Sequence, residues 1–184
     1  LPNKNGLVIT EMVKAIDSGQ IKAMYVTGEN PLLSEPDLSH TEETFKKLDL
    51  LIVQDIFMHE TAELADIILP ATSFAEKDGT FTNSERRVQR VKKLIEPVGE
   101  SRPDWKIFCQ LAEAMSDRYN LKLKEQFSYK NASEVWDEMA HLTPIISGIN
   151  YQRLDKEGGI QWPCPDTNHP GTRYLYKDDF PRGK

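Results

Sequence analysis

The sequence is poor in cysteine and lacks a long hydrophobic run. Its 184 residues include two cysteines, Cys109 and Cys164, too few to hold an iron–sulfur cluster or a structural zinc ion by themselves. So few cysteines in a chain of this length are typical of a reducing compartment, and we expect a cytoplasmic protein. No apolar stretch reaches the length of a transmembrane helix, so no membrane insertion is expected.

Positive charge is outweighed by negative charge. The chain carries 23 Lys and Arg against 29 Asp and Glu, a net charge of -6. Because neutralising phosphates needs clustered Lys and Arg, nucleic acid is not an expected partner. The histidines at 40, 59, 141 and 169 show no metal-ligand spacing, and no nucleophile–base pairing indicates a hydrolase.

Short apolar runs alternate with helical patterns in the first part of the chain. The spacing of apolar residues over 6–18 predicts a helix, and the runs at 22–26, 50–53 and 67–69 predict strands. Strands separated by helices indicate right-handed crossovers and a parallel sheet. We therefore predict an α/β fold, a Rossmann-like parallel sheet flanked by helices, with an irregular C-terminal extension.

The remaining patterns suggest how the chain is divided. Further helices are predicted near 38–47, 61–65, 104–115 and 132–141, and an extended segment near 80–83. After about residue 142, glycines and prolines leave little room for long regular elements. We predict a dinucleotide-binding α/β domain at 1–115, then a helix plus irregular extension at 116–184 that packs on other parts of a larger subunit. Cys109 shares a helical face with apolar residues and is expected to be buried, whereas Cys164 is not expected to bind metal.

Polar, turn-forming residues follow each predicted strand, at 28–31, 54–55 and 70–72. Since parallel sheets bind ligands beyond the carboxyl ends of their strands, these loops are expected at one edge. For 28–31 a plain turn competes with ligand binding, and for Asp55 a helix cap competes with a ribose contact. No G-x-G-x-x-G motif precedes them, which disfavours an ordinary NAD-binding domain.

The segment 76–87 is dense in charged residues around a single glycine. Lys77 and the paired Arg86 and Arg87 are suited to a phosphate or to a partner's carboxylate. A solvated charge run is the alternative, but Phe81 and Val88 interrupt the charges as in a segment that packs.

Several motifs, taken in order and spacing, resemble the molybdopterin oxidoreductase family that includes dimethyl sulfoxide reductase. The ending, at 158–165 and 169–172, is similar to the catalytic subunits of formate dehydrogenases. The resemblance covers nearly the whole chain, and with Leu1 in place of an initiator Met it indicates an internal piece of a larger subunit. The motifs are Gly28-Glu29-Asn30-Pro31, Val53-Gln54-Asp55-Ile56-Phe57, Glu60-Thr61-Ala62, Ala65-Asp66-Ile67-Ile68-Leu69-Pro70, Glu76-Lys77-Asp78-Gly79-Thr80-Phe81-Thr82-Asn83, Glu85-Arg86-Arg87-Val88-Gln89 and Gly99-Glu100-Ser101-Arg102-Pro103-Asp104-Trp105.

The resemblance implies a cofactor and residues that bind it. Members of the family hold a bis-molybdopterin guanine dinucleotide around molybdenum or tungsten, one dinucleotide in each of two α/β domains. Asp55 suits ribose hydroxyls or the guanine edge, Lys77 a phosphate or carbonyl oxygen, and Asp104 the N1 and N2 groups of guanine together. The positions that match cofactor-contacting positions of the family are Asn30, Gln54, Asp55, Lys77 and Asp104.

The resemblance also implies an activity for the parent protein, namely oxidation of formate to carbon dioxide. Electrons would leave through a 4Fe-4S cluster towards iron–sulfur or flavin subunits. No residue here matches the family's metal ligand, its neighbouring His or the cluster cysteines, so no catalytic or metal-binding residue is expected and the piece alone is expected to be inactive. The alternatives are a nitrate reductase, disfavoured by the ending at 161–165, and a non-catalytic domain of a respiratory NADH dehydrogenase, disfavoured by the retained polar residues.

Overall fold

The computed structural model describes residues 3–177 and 180, which fall into two compact units. The first unit extends to Ser73 and includes Pro97–Ile107, and the second comprises Phe74–Glu96 and the chain from Phe108 onward. The second unit therefore begins inside the sequence of the first. The elements are α1 (Ile9–Asp17), β1 (Ala23–Thr27), α2 (Pro31–Ser34), α3 (Leu38–Phe45), β2 (Leu50–Asp55), α4 (Glu60–Glu63), β3 (Ile67–Pro70), β4 (Gly79–Thr82), β5 (Arg87–Val91), α5 (Asp104–Tyr119), α6 (Ala132–Leu142), α7 (Tyr151–Glu157) and β6 (Ile160–Gln161).

The first unit is built on a three-stranded parallel sheet in the order β1-β2-β3. Thr27 pairs with Gln54, and Asp55 pairs with Pro70, so the three strands end at nearly the same level. Each strand is joined to the next by helices, as the alternation of apolar runs and helical patterns predicts. The prediction of an α/β fold with these three parallel strands is confirmed.

One face of this sheet forms the core of the first unit. Val26, Leu51 and Val53 are buried on that face, because successive side chains of a strand point to opposite sides. Fully burying an aliphatic side chain contributes about 1.5–3 kcal/mol, so this layer is the main source of stability for the unit. The buried helical and loop residues packed with it are Ile16, Leu32, Phe45 and Ala62.

Polar contacts fix the helices around that core. Asp37 caps α3 by accepting from the His40 backbone N–H at 3.1 Å. Asp17, at the end of α1, accepts from the Thr44 hydroxyl at 2.9 Å and from Lys47 Nζ at 2.7 Å. The hydrogen bond from Lys47, followed by that from Thr44, lowers the pKa of the Asp17 carboxyl. Asp17 therefore ties α1 to α3.

The second unit contains an antiparallel sheet in the order β4-β5-β6. The extended segment predicted near 80–83 is confirmed as β4, and it pairs with β5 rather than with the first sheet. Asn83 makes this hairpin possible, because its Oδ1 accepts from the backbone N–H groups of Glu85 and Arg87. Arg86, between them, adopts a left-handed backbone conformation with φ 65°.

The C-terminal part holds more regular structure than the sequence predicts. Asn150 caps α7, and Gly158 ends it with φ 77°, after which β6 pairs with β5. Trp136 donates from Nε1 to the carbonyl oxygen of Ile149 at 2.7 Å, which joins α6 to this segment. The second core consists of Val88, Trp136, Ala140, Ile146, Ile149, Leu154, Ile160 and Cys164.

The two cysteines are buried to different extents. Cys109 is only partly buried, so the prediction that it is a core residue is wrong. On the apolar stripe of α5, Ile107 and Ala112 are buried, but Phe108, Leu111 and Met115 are each more than a third exposed. Cys164 is the buried thiol, with its Sγ 3.4 Å from Arg153 Nη1 and 3.3 Å from the His169 carbonyl oxygen.

Candidate functional site

The loops that follow β1, β2 and β3 lie at one edge of the parallel sheet, called here the carboxyl edge. Backbone hydrogen bonds connect them, from Gly28 N to the Gln54 carbonyl oxygen at 2.9 Å and from Ala71 N to the Asp55 carbonyl oxygen at 3.0 Å. Gly28 has φ 63°, a conformation that favours glycine at this turn. The predicted grouping of the three loops at one edge is confirmed.

A string of hydrogen bonds runs from β1 through β2 to the start of α5. The Tyr25 hydroxyl donates to Gln54 Oε1 at 2.5 Å, and Gln54 Nε2 donates to Asp104 Oδ1 at 2.9 Å. Gln54 is fully buried, so both of its contacts are shielded from water. Burial, and secondly the negative charge of Asp104, raise the pKa of Tyr25. Gln54 therefore fixes the position of the Asp104 carboxylate.

Asn30 connects the loop after β1 to helix α4. Its Nδ2 donates to Glu60 Oε2 at 2.7 Å, and its Oδ1 accepts from the Thr61 hydroxyl at 2.6 Å. The Thr61 oxygen in turn accepts from the backbone N–H of Leu32 at 3.1 Å. The backbone N–H of Glu60, and then the Asn30 amide, lower the pKa of the Glu60 carboxyl. The amide nitrogen and the amide oxygen of Asn30 are thus both hydrogen-bonded to other side chains of the protein.

Asp55 ends β2 and shapes the turn after it. Its Oδ1 accepts from the backbone N–H groups of Ile56 at 2.7 Å and Phe57 at 3.1 Å. Its Oδ2 lies 3.4 Å from His59 Nε2. The residue that caps α4 is His59, whose Nδ1 accepts from the Ala62 backbone N–H at 3.3 Å. The alternative that Asp55 caps the following helix is therefore wrong.

Exposed apolar side chains stand next to Asp55. Ile56, Phe57 and Met58 are 47%, 72% and 62% exposed, and they follow the carboxylate directly in sequence. A flat aromatic ring beside a hydrogen-bonding carboxylate can stack on a nucleobase or a sugar while the carboxylate selects its polar groups. The carboxyl edge thus combines apolar and polar groups, as small-molecule sites usually do.

Lys77 belongs to the second unit, unlike the other four predicted site residues. It is partly buried and lies just before β4. The neighbouring arginines have partners within their own unit: Arg87 Nε donates to Glu85 Oε1 at 2.7 Å, and Arg86 donates to backbone carbonyl oxygens. The hydrogen bond from Arg87 lowers the pKa of the Glu85 carboxyl. The carboxylate that Arg87 contacts thus belongs to its own chain and not to a partner.

Sequence reasoning missed several polar residues of the carboxyl edge: Tyr25, His59, Thr61 and Thr72. The strand pairing places Tyr25 on the same sheet face as Gln54, a relation that follows from side-chain alternation once the register is known. The sequence gives no signal for His59, because the four scattered histidines show no metal-ligand spacing. Within the described residues, no cluster of three or more His, Cys, Asp or Glu has a geometry suited to a metal ion.

With this geometry in place, comparison with known proteins gives the family. The molybdopterin oxidoreductase profile matches residues 1–114, more than half of the sequence. The chain belongs to the molybdopterin oxidoreductase family. Within the described residues, no helix is both long and apolar enough to cross a membrane.

Two similar proteins are alpha subunits of F420-dependent formate dehydrogenases. The chain is 49% identical over 180 residues to the F420-dependent formate dehydrogenase subunit alpha of Methanocaldococcus jannaschii, covering 97% of this chain and 25% of the relative. It is 47% identical over 171 residues to the F420-dependent formate dehydrogenase 1 subunit alpha of Methanococcus maripaludis, covering 93% of this chain and 24% of the relative. The chain thus spans about a quarter of the length of these relatives.

A solved structure supports the fold. The acetylene hydratase from Pelobacter acetylenicus superposes with a TM-score of 0.62 and 24% identity, covering 83% of this chain and 20% of that protein. At this identity the likeness concerns the fold alone. It agrees with the parallel sheet and flanking helices described above.

Proposed function

We propose that the chain is part of the catalytic subunit of a formate dehydrogenase, and that its carboxyl edge helps to bind one guanine dinucleotide of a molybdopterin cofactor. Support comes from the family and from relatives of 49% and 47% identity that carry the name formate dehydrogenase. In the parent protein the cofactor, with molybdenum or tungsten, supplies the redox chemistry, and this region supplies binding and orientation.

The observation that carries the proposal is the fixed carboxylate of Asp104. Gln54 holds Asp104 Oδ1 at 2.9 Å and is itself held by Tyr25. A carboxylate can accept from the N1 and N2 groups of guanine together. Preorganisation of this acceptor reduces the ordering cost of binding, which favours a specific ligand.

The other predicted residues take different roles in this proposal. Asp55 contacts sugar hydroxyls beside the exposed Phe57 ring, and Lys77 contacts a phosphate or carbonyl oxygen. Asn30 and Gln54 have their side-chain groups engaged within the protein, so they act by holding the loop after β1 and the Asp104 carboxylate. These acceptors fit a base and a sugar, because the two carboxylates accept from N–H and O–H groups.

Guanine selectivity tests the binding half of the proposal. GDP and IDP differ in the exocyclic N2 amine that Asp104 is proposed to accept from. We expect the chain to prefer GDP to IDP by about tenfold, the value of one charge-assisted hydrogen bond. Asp104→Asn should abolish the preference in equilibrium titrations, whereas Asp117→Asn on an exposed turn of α5 should keep it. Equal affinities for GDP and IDP in the unaltered chain would contradict the proposal.

The catalytic half concerns the parent protein. We propose that formate is its substrate and that electrons pass through a 4Fe-4S cluster, with ligands outside this chain, to iron–sulfur or flavin subunits in the cytoplasm. The purified parent should reduce a dye in the presence of formate and contain molybdenum or tungsten. The 184-residue chain alone should do neither, since it matches no metal-ligand position of the family. Formate oxidation by the isolated chain would refute this assignment.

A further inference from the structure

The sequence contains a single Asn-Gly pair, Asn5-Gly6, in the segment before α1. Both residues are exposed and belong to neither a helix nor a strand, since α1 begins at Ile9. Within residues 3–177 and 180, neither the Asn5 side chain nor the Gly6 backbone N–H has a hydrogen-bond partner. Exposed backbone without such bonds changes conformation readily, so the two residues can take up the geometry that a reaction between them needs.

An asparagine side chain can react with the backbone nitrogen of the next residue. The Gly6 nitrogen would attack Asn5 Cγ, so that a new N–Cγ bond forms and the side-chain nitrogen leaves as ammonia. The product is a cyclic imide, which water opens at either of its two carbonyl carbons. One opening gives aspartate, and the other gives iso-aspartate, in which the main chain runs through the side-chain carbon. The reaction needs no oxidant, reductant or cofactor.

Glycine is the residue that hinders this ring closure least. Gly6 has no Cβ, so its nitrogen can approach Asn5 Cγ in backbone conformations that other residues avoid. A Cβ built at Gly6 would meet nothing within 4 Å, so the surrounding protein leaves the approach open as well. The local sequence and the local structure therefore favour the same reaction.

The other asparagines lack this combination. Each of them is followed by a residue larger than glycine. Asn3 lies in the same exposed segment as Asn5, but the residue after it is Lys4. A side chain that is hydrogen-bonded must also break that bond before its Cγ can be attacked. Four asparagines accept a hydrogen bond through the side-chain oxygen: Asn30, Asn83, Asn131 and Asn150.

We propose that Asn5 is a site of spontaneous deamidation, and that the iso-aspartate formed there is a substrate for a protein carboxyl methyltransferase. Such an enzyme transfers the methyl group of S-adenosylmethionine from the sulfonium sulfur to the α-carboxylate of iso-aspartate, and releases S-adenosylhomocysteine. The exposure of residues 5 and 6 gives the enzyme access. Deamidation also adds one negative charge to a chain of net charge -6, so the two forms can be separated by charge.

The test incubates the full 184-residue chain at neutral pH and follows each asparagine by peptide mass spectrometry. We expect Asn5 to deamidate at least about tenfold faster than Asn3, because only Asn5 precedes a glycine. A purified iso-aspartate methyltransferase with labelled S-adenosylmethionine should label the aged chain and leave the fresh chain nearly unlabelled. Gly6→Ala should slow deamidation of Asn5 at least about tenfold and keep the fold, since the added methyl group meets no neighbour. Asn3→Gln is the matched control and should change neither measurement.

The outcomes test the two parts of the proposal separately. Equal rates at Asn5 and Asn3 would overturn the deamidation site. It would also be overturned if Asn5 stayed intact in the folded chain while a synthetic peptide of residues 1–10 deamidated, because the fold would then protect the pair. Deamidation of Asn5 without methyl labelling would overturn the assignment as a methyltransferase substrate. So would equal labelling of the aged Gly6→Ala variant, because the iso-aspartate would then come from another position.

Discussion

Gln54 and Asp104 stand 50 positions apart in the sequence and are joined by a 2.9 Å hydrogen bond from Nε2 to Oδ1. The bond connects the buried end of β2 to the first turn of α5, within the first unit. The returning segment is also held by the backbone, since Arg102 N donates to the Pro70 carbonyl oxygen at 3.0 Å. The chain thus enters the second unit after Ser73 and returns to the first unit at Pro97, where Asp104 adds a polar group to the carboxyl edge.

Replacing Gln54 by Leu should destabilise the first unit. Leucine has a side-chain volume close to that of glutamine, but it makes no hydrogen bonds. The Tyr25 hydroxyl and the Asp104 carboxylate therefore lose the partner that they share. We expect the free energy of unfolding in urea to fall by about 2–3 kcal/mol, the usual cost of losing two hydrogen bonds, one of them to a charged group. Gln20→Leu, at an exposed position with no described side-chain contact, is the control. Equal effects of the two changes would show that the string of hydrogen bonds contributes nothing.

Gly148 is expected to tolerate no side chain. A methyl group there would lie 2.0 Å from the Asp166 carbonyl oxygen, so the two backbone segments would have to separate. Gly148→Ala should reduce the free energy of unfolding by about 2–3 kcal/mol through this overlap. Gly79→Ala is the matched control, because nothing lies within 4 Å of an added methyl there and its φ is negative or extended. A Gly148→Ala variant as stable as Gly79→Ala would contradict the close approach.

Arg86 should hold the segment after β6 in place. Its guanidinium donates to the carbonyl oxygens of Trp162, Thr172 and Arg173, and lies 5.6 Å from the centre of the Trp162 ring. We expect Arg86→Ala to increase the rate of limited proteolysis after β6 and to cost about 2 kcal/mol in unfolding free energy.

Arg173→Ala removes the same charge from an exposed side chain nearby and serves as the control. It leaves the Arg173 carbonyl oxygen in place as an acceptor. If both variants are cleaved at the rate of the unaltered chain, the contacts of Arg86 do not restrain this segment.

The Tyr129 hydroxyl should lose its proton at a higher pH than an ordinary tyrosine does. Its hydroxyl donates to Glu138 Oε2, and this hydrogen bond raises the pKa of Tyr129 to about 12. Because the folded-state pKa lies above the unfolded value of about 10, the stabilisation is complete below pH 10 and is lost as the pH rises from about 10 to 12. The pKa of Tyr129 can be measured by following the absorbance of tyrosinate as the pH is raised. The Tyr129→Phe variant identifies the part of the signal that comes from Tyr129. Glu138→Gln should lower this pKa, whereas Glu125→Gln, at an exposed position, should not.

The parallel sheet was predictable because its strands are continuous apolar runs such as Leu50-Leu51-Ile52-Val53, which a sheet covered by helices requires. The grouping of three loops at the carboxyl edge followed from the parallel direction alone. The roles of the individual residues at the carboxyl edge could not be predicted from the sequence. A sequence shows that Gln54 and Asp104 are polar, but their pairing depends on how the chain returns after the hairpin of β4 and β5.

The second unit was harder to predict, for a physical reason. β5 carries arginines at 87 and 90, and β6 is only two residues long, so neither shows the apolar pattern of a buried strand. Cys164 is buried because Arg153 and backbone carbonyl oxygens surround its thiol, a contact set without sequence periodicity. Cys109 lies on a regular apolar stripe, yet periodicity predicts which face is apolar and not whether that face is covered.

The nesting of the two units sets an order for folding during synthesis. The first unit needs Pro97–Ile107, so the hairpin of β4 and β5 leaves the ribosome before that unit can be completed. The third strand of the hairpin's sheet, β6, is synthesised much later, because Val88 pairs with Ile160. Pairings between distant positions close slowly and leave strand edges exposed meanwhile. The arginines of β5 then act as gatekeepers, since charged side chains on an open edge oppose pairing with other nascent chains.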